Sequence, residues 1–198
     1  DGGSGNFIGG GAYDTRNIIS GGTYSSLIIG GEGNIIGRDT GQVNISSIVG
    51  GKNNVVRSPR SFIGGGYENK IDGSSYNSVI VGGGSKDGYS GYGNKITGNS
   101  HMSVIAGGYN NKVENNAAYA FSVGQNNIIN NGWGVSIIGG QGNYSYDSYY
   151  SIIGGDNNRI YNSLHAISLG KMNKIGVSGI PASSSPHSTI VGGKSNEI

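Results

Sequence analysis

The 198-residue sequence contains no cysteine, so neither a disulfide framework nor a cysteine metal site can organise it. Proline is scarce, at 3 residues against 41 glycines, and collagen would need proline in abundance and glycine at every third position. Charge is scarce too: 12% of residues are charged and the net charge is +2. That is too small an excess to imply a nucleic-acid partner. No apolar run reaches the roughly 18 residues of a membrane-spanning helix, and no basic segment followed by an apolar one opens the chain as a secretory leader would. No insertion into a membrane is expected.

What is present is a repeat. SSLIIGGEGNII at 25–36, ISSIVGGKNNVV at 45–56, RSFIGGGYENKI at 60–71 and STIVGGKSNEI at 188–198 share the pattern S-x-I-x-G-G-x-x-N-x-I. Fixed apolar positions of this kind exclude the disorder that glycine and asparagine would otherwise suggest. Counting back three residues from the second glycine of each copy gives one column. It reads Ile8, Ile28, Ile48, Ile63, Ile80, Ile105, Phe121, Ile137, Ile152, Ile167 and Ile190. Three places after that glycine comes asparagine, as in Asn34, Asn54, Asn69, Asn111, Asn127, Asn143, Asn158, Asn173 and Asn196. Asn94 and Ile96 keep the pair after an insertion, and Asn17 and Ile19 allow the same reading near the start. Two places after the asparagine stands Ile or Val, except at Ser145.

The unit is short and constant, while one connection per unit takes insertions, as the coils of a solenoid do. In Ser103-Val104-Ile105-Ala106 alternation sends Ser103 and Ile105 to one face and Val104 and Ala106 to the other. The glycine pair turns the chain. Stacked Ile columns form the coil interior, because β-branched side chains pack well on a pleated surface. The asparagine column bonds backbone and stacks on the next asparagine. The fold class expected is all-β: a parallel β-solenoid, or β-roll, of about eleven short coils. Residues 1–198 read as one repetitive segment, expected to be part of a longer fibrous chain.

Ser103-Val104-Ile105-Ala106-Gly107 and Asn77-Ser78-Val79-Ile80-Val81-Gly82 resemble the YadA-like head repeats of trimeric autotransporter adhesins, which also occur in phage and viral tail fibres. The resemblance covers nearly the whole chain. It implies a left-handed β-roll wound into a homotrimer. The strong double-glycine, asparagine-rich style is similar to viral tail fibres in particular. That implies a structural and receptor-binding segment for host attachment on a virion tail fibre, with other fibre or baseplate proteins and a host-surface glycan as partners. The alternative is the head of a trimeric adhesin on a bacterial outer surface. A third reading, a glycan-cleaving tailspike, would need paired carboxylates.

The carboxylates lie scattered in turns. Glu32 with Lys52 and Asp156 with Lys171 share columns in successive copies, so cross-coil charge pairing accounts for them. His101, His165 and His187 have no metal-binding spacing. Gly30-Gly31-Glu32-Gly33-Asn34 and Gly139-Gly140-Gln141-Gly142-Asn143 approach a calcium-binding β-roll motif but lack its aspartate. The chain is thus expected to be no enzyme and to hold neither metal nor cofactor. Candidate receptor or glycan contacts are the aromatic residues of the connections: Tyr89 and Tyr92 in 84–93, Trp133 in 130–134, and Tyr146 and Tyr149 in 144–150. A broken basic stripe of Lys70, Lys95, Lys112, Arg159 and Lys174 suits acidic glycans or a solvated face.

Overall fold

In a computed structural model, which describes residues 3–11, 16–37, 42–84, 90–176 and 187–198, the chain coils into a two-sheet parallel β-solenoid of about ten turns. Among the described residues no segment is helical. Each turn contributes one short strand to each sheet. The first sheet has eleven strands, β1 (Phe7–Ile8) through β21 (Ser188–Lys194), which take the odd numbers in order. The second has ten, β2 (Ile18–Ile19) through β20 (Lys174–Ile175), which take the even numbers. All pairings are parallel, each strand lying on its counterpart one coil away. At about 4.8 Å per rung the first sheet is roughly 50 Å long.

The strands are short because the chain turns at three corners per coil, and the backbone shows where. One residue before each inward side chain, φ is positive. Asn53, Glu68, Asn110, Asn126, Asn157 and Met172 hold this conformation ahead of the asparagine column. Ile45, Arg60, Asn77, Met102, Tyr119, Tyr150 and His165 hold it ahead of the first-sheet strands. Ser74, Asn99, Asn116, Asn131, Asp147 and Asn162 do so at the third corner. Asparagine dominates because it tolerates left-handed backbone better than other side chains.

Inside the coil two apolar columns face each other. The first sheet supplies Ile28, Ile48, Ile63, Ile80 and Ile105, and the second Ile36, Val56, Ile71, Ile96, Val113 and Ile129, all fully buried. Beyond Ile105 the structure corrects the column counted from glycine. Ile105 pairs with Ser122, not Phe121, and Ile137 pairs with Ile153, which pairs with Ser168. Phe121, Ile152 and Ile167 lie on the outward face. The reason is the length of the link between strand and asparagine. Ser103 to Asn111 is eight residues by subtraction, but Ala120 to Asn127, Ser151 to Asn158 and Ala166 to Asn173 are each seven. The sheet absorbs the difference with register shifts between Val123 and Gln125 and between Leu169 and Lys171. A one-residue slip exchanges inside for outside along the whole strand.

Polar ladders complete the interior. An unbroken asparagine ladder runs from Asn17 to Asn196, each backbone N–H donating to Oδ1 of the asparagine one coil before. A serine ladder joins Ser26, Ser46, Ser61, Ser78 and Ser103 in the same way and ends at Ala120. Another joins Ser58, Ser75 and Ser100 and ends at Ala117. These side chains supply partners that the narrow, dry interior would otherwise withhold.

Candidate binding surfaces

The two sheets present different chemistry outward, apolar on the first and mixed apolar and basic on the second. On the first sheet, the residue before each inward Ile points out, and so does the one after. The first of these columns includes Phe7, Leu27, Phe62, Val79, Val104, Phe121, Ile152 and Ile167. The second includes Ile29, Val49, Val81, Val123, Ile138, Leu169 and Val191. In the single chain Val81 is 53% and Ile138 55% exposed. Strands this apolar on both faces expose a stripe on the order of 500 Å², taking about 50 Å by 10 Å from strand geometry. Monomeric proteins seldom expose contiguous apolar area beyond a few hundred Å².

On the second sheet the residue between Asn and Ile points out. The column runs Ile18, Ile35, Val55, Lys70, Lys95, Lys112, Ile128, Tyr144, Arg159 and Lys174, each the register partner of the next. The basic stripe legible in the sequence is therefore a true file along one sheet face. Lys70 binds Asp72 at 2.9 Å, and Arg57 approaches the same carboxylate at 3.6 Å. Burial raises the Asp72 pKa, but the Lys70 hydrogen bond, the Gly73 N–H and the charges of Lys70 and Arg57 outweigh it and hold it below the usual range. Lys174 is bridged to Glu197. Lys95, Lys112 and Arg159 form no ion pair among the described residues.

Beside Arg159 the same face carries a tyrosine cluster. Tyr144 lies 6.3 Å from Tyr146 and 5.7 Å from Tyr161, between ring centres. Ile128, Tyr144, Arg159 and Tyr161 line a groove of about 400 Å³ with Asn126, Gly142 and Asn143. Arg159 also borders the adjoining hollow, with Met172 and Lys174. Partial burial raises the Tyr144 pKa, and the neighbouring phenols and Glu114 add to the effect.

A third feature is an aromatic file at the corner ahead of the first sheet. Tyr76, His101, Tyr119, Trp133, Tyr150, His165 and His187 stack in that order, with centroids 4.9 to 6.1 Å apart. Arg60 covers Tyr76 at 5.7 Å. Three contacts are face to face and the three among His101, Tyr119, Trp133 and Tyr150 are edge to face, so contacts of about 0.5–1.5 kcal/mol each run along the rod.

The structure thus separates the candidate contacts. Trp133 belongs to the aromatic corner. Tyr146 lies in β16 (Tyr144–Tyr146), a regular strand of the second sheet and not an insertion. Tyr149 is half-buried and bridges Trp133 and Leu164 in neighbouring coils. Tyr92 is exposed, its carbonyl accepting the Asn110 N–H. Tyr89 lies outside the described residues. The three histidines share a column after all. The signal was their place, one or two residues before Ser103, Ala166 and Ser188, which a search for metal spacing does not test.

The charged columns expected to pair across coils do so at Lys52 and Glu32, 2.9 Å apart. Asp156 and Lys171 are register partners, but Oδ1 of Asp156 accepts the Gln141 N–H. Other carboxylates are held similarly: Glu114 accepts from Asn130, Asp147 from Asn131 and Glu68 from Gly91. In the calcium-like motif, Oδ1 of Asn34 accepts both N–H groups of Asn54, from backbone and side chain. No protein-family model matches the chain, and no curated protein matches it in sequence.

Proposed function

We propose that the chain is a structural and receptor-binding segment of a homotrimeric bacteriophage or viral tail fibre, serving host attachment on the virion. The observation that carries this reading is the apolar outer face of the first sheet. A surface of that character needs a cover. Its rungs repeat at the coil spacing along the whole rod, and a partner matches it rung for rung only if it has the same repeat. A second and third copy of this chain meet that condition, with the three apolar faces gathered about a common axis parallel to the rod. The second sheet, with its cations and tyrosines, is then left outward for contact with a host surface and its glycans. The YadA-like character of the Ser-Val-Ile-Ala strands supports a left-handed coil and three chains.

Among the described residues the carboxylates are engaged within or between coils, which fits a scaffold. The same organisation serves the head of a bacterial trimeric adhesin, and the flanking sequence separates the two: a chaperone or baseplate-attachment domain marks a fibre, a stalk with a β-barrel anchor an adhesin. The assembly is tested by light scattering on the purified chain, where a three-chain mass is expected. Val81→Lys with Ile138→Lys should release monomers. A wild-type chain that is folded and monomeric overturns the reading, and a stable two-chain mass replaces it with a dimer.

A further inference from the structure

We infer that the outward face of the second sheet, from Lys95 to Arg159, binds a linear acidic polysaccharide lying parallel to the solenoid axis. This deepens the attachment reading above and rests on it for the face being outward. Lys95 and Lys112 are register partners on adjacent rungs, so two lysines without ion pairs among the described residues rise from strands about 4.8 Å apart. Like charges on adjacent rungs repel. An anionic chain that brings acid groups at a similar pitch removes the repulsion and gains charge-assisted hydrogen bonds.

On the next two rungs the file changes from cations to Ile128 and Tyr144, and it returns to charge at Arg159. The alternation suits a polymer whose units are part apolar and part acidic. The C–H face of a sugar ring lies against Ile128 and the Tyr144 ring in the groove, while carboxylates or sulfates reach Lys112 on one side and Arg159 on the other. The guanidinium, which borders both hollows, presents paired donors to a carboxylate. Among the described residues Glu114, on the neighbouring column, is a carboxylate beside this file. Its Oε1 already accepts from Asn130 at 3.2 Å.

Other polyanions fit less well. Duplex DNA carries one charge per roughly 1.7 Å of axis, far denser than three cations over five rungs, and the chain's net charge is only +2. A lipid surface would meet a narrow face on which the apolar residues between the cations, Ile128 and Tyr144, are half-buried in a groove.

The probe is a polygalacturonate oligomer, titrated calorimetrically at low salt, with its methyl-esterified form as the uncharged control. The unesterified oligomer should bind and the ester should not. Lys112→Gln with Arg159→Gln should weaken binding about ten-fold or more, since each contact is charge-assisted. Tyr144→Ala should weaken it with the charges intact. All three side chains point outward, and unchanged melting curves confirm the fold. Unchanged affinity in both variants overturns the inference, as does equal or tighter binding of duplex DNA or phosphatidylserine vesicles. Light scattering on the same samples separates the two proposals. A monomer that binds polygalacturonate removes only the assembly, and a trimer that ignores it removes only the ligand.

Discussion

Asn54 donates twice to one atom: its backbone N–H and its Nδ2 both reach Oδ1 of Asn34, at 3.0 and 3.1 Å. The same Nδ2 lies 3.0 Å from the carbonyls of Gly50 and of Gly66 in the following coil. One side chain thus ties three coils together, and the arrangement recurs along the rod.

Removing one rung should therefore be costly. Asn111→Ala strips the partner from the Asn127 N–H, takes the side-chain donor from the Gly107 carbonyl and leaves the Gly124 carbonyl with the Tyr109 N–H alone. Each buried group left unpaired costs about 1–3 kcal/mol, and thermal unfolding should show a clearly lower Tm. Asn111→Asp keeps the acceptor but turns a carboxylate toward those carbonyls. It should be as damaging at neutral pH and recover partly in acid, once protonated. A tolerated Asp at pH 7 would show that the ladder's donors are dispensable.

The two glycines of a pair should respond differently. A Cβ built on Gly50 meets nothing within 4 Å, whereas on Gly51, at φ +86, it would fall 2.2 Å from the Gly66 carbonyl oxygen. Gly50→Ala should leave stability within about 0.5 kcal/mol, as surface changes usually do. Gly51→Ala should lose at least the roughly 1–2 kcal/mol of a left-handed residue, plus the displacement of the next coil. Denaturant melts of the two variants decide it.

Ile105 is fully buried between Ile80 and Ser122. Ile105→Ala should cost about 2–5 kcal/mol, whereas Tyr146→Ala on the second-sheet surface should cost far less. Ser122 offers the converse test, because its buried Oγ has no hydrogen-bond partner among the described residues. Ser122→Val should raise Tm by filling the column between Ile105 and Ile137. A lower Tm would place Phe121, not Ser122, inside.

Acid should loosen the second sheet near Lys70. The Asp72 pKa is depressed by Lys70, the Gly73 N–H and Arg57 against an opposing burial effect. A carboxylate with a lowered folded pKa contributes stability that is present above its unfolded pKa, near 3.9, and lost as pH falls through the folded value. Asp72→Asn should therefore flatten the decline of Tm below about pH 4. An unchanged acid limb would mean that the pair contributes nothing there.

The chain's order of residues determined the coil by itself. Glycine at left-handed, close-approach corners, asparagine at the ladder and β-branched residues at the interior are local demands. Each recurs at one offset within a unit, so comparing copies reveals them. Asn17 and Ile19, ambiguous by counting, fall into place as the first rung because Asn34 donates to Asn17 and Ile19 pairs with Ile36.

Tertiary structure alone decided which side of a strand faces inward where the glycine link loses a residue. Phe121, Ile152 and Ile167 match the glycine count, yet Ser122, Ile153 and Ser168 are buried. The choice depends on pairing with a strand fifteen or so residues away, and a single-residue change in the link reverses it. The same holds for the surfaces. Tyr76, His101, Tyr119 and Trp133 stand well apart in sequence, and only stacking of successive coils makes them neighbours. The apolar first face and the basic second face likewise exist only once the coil has closed, because each is built from one residue per turn.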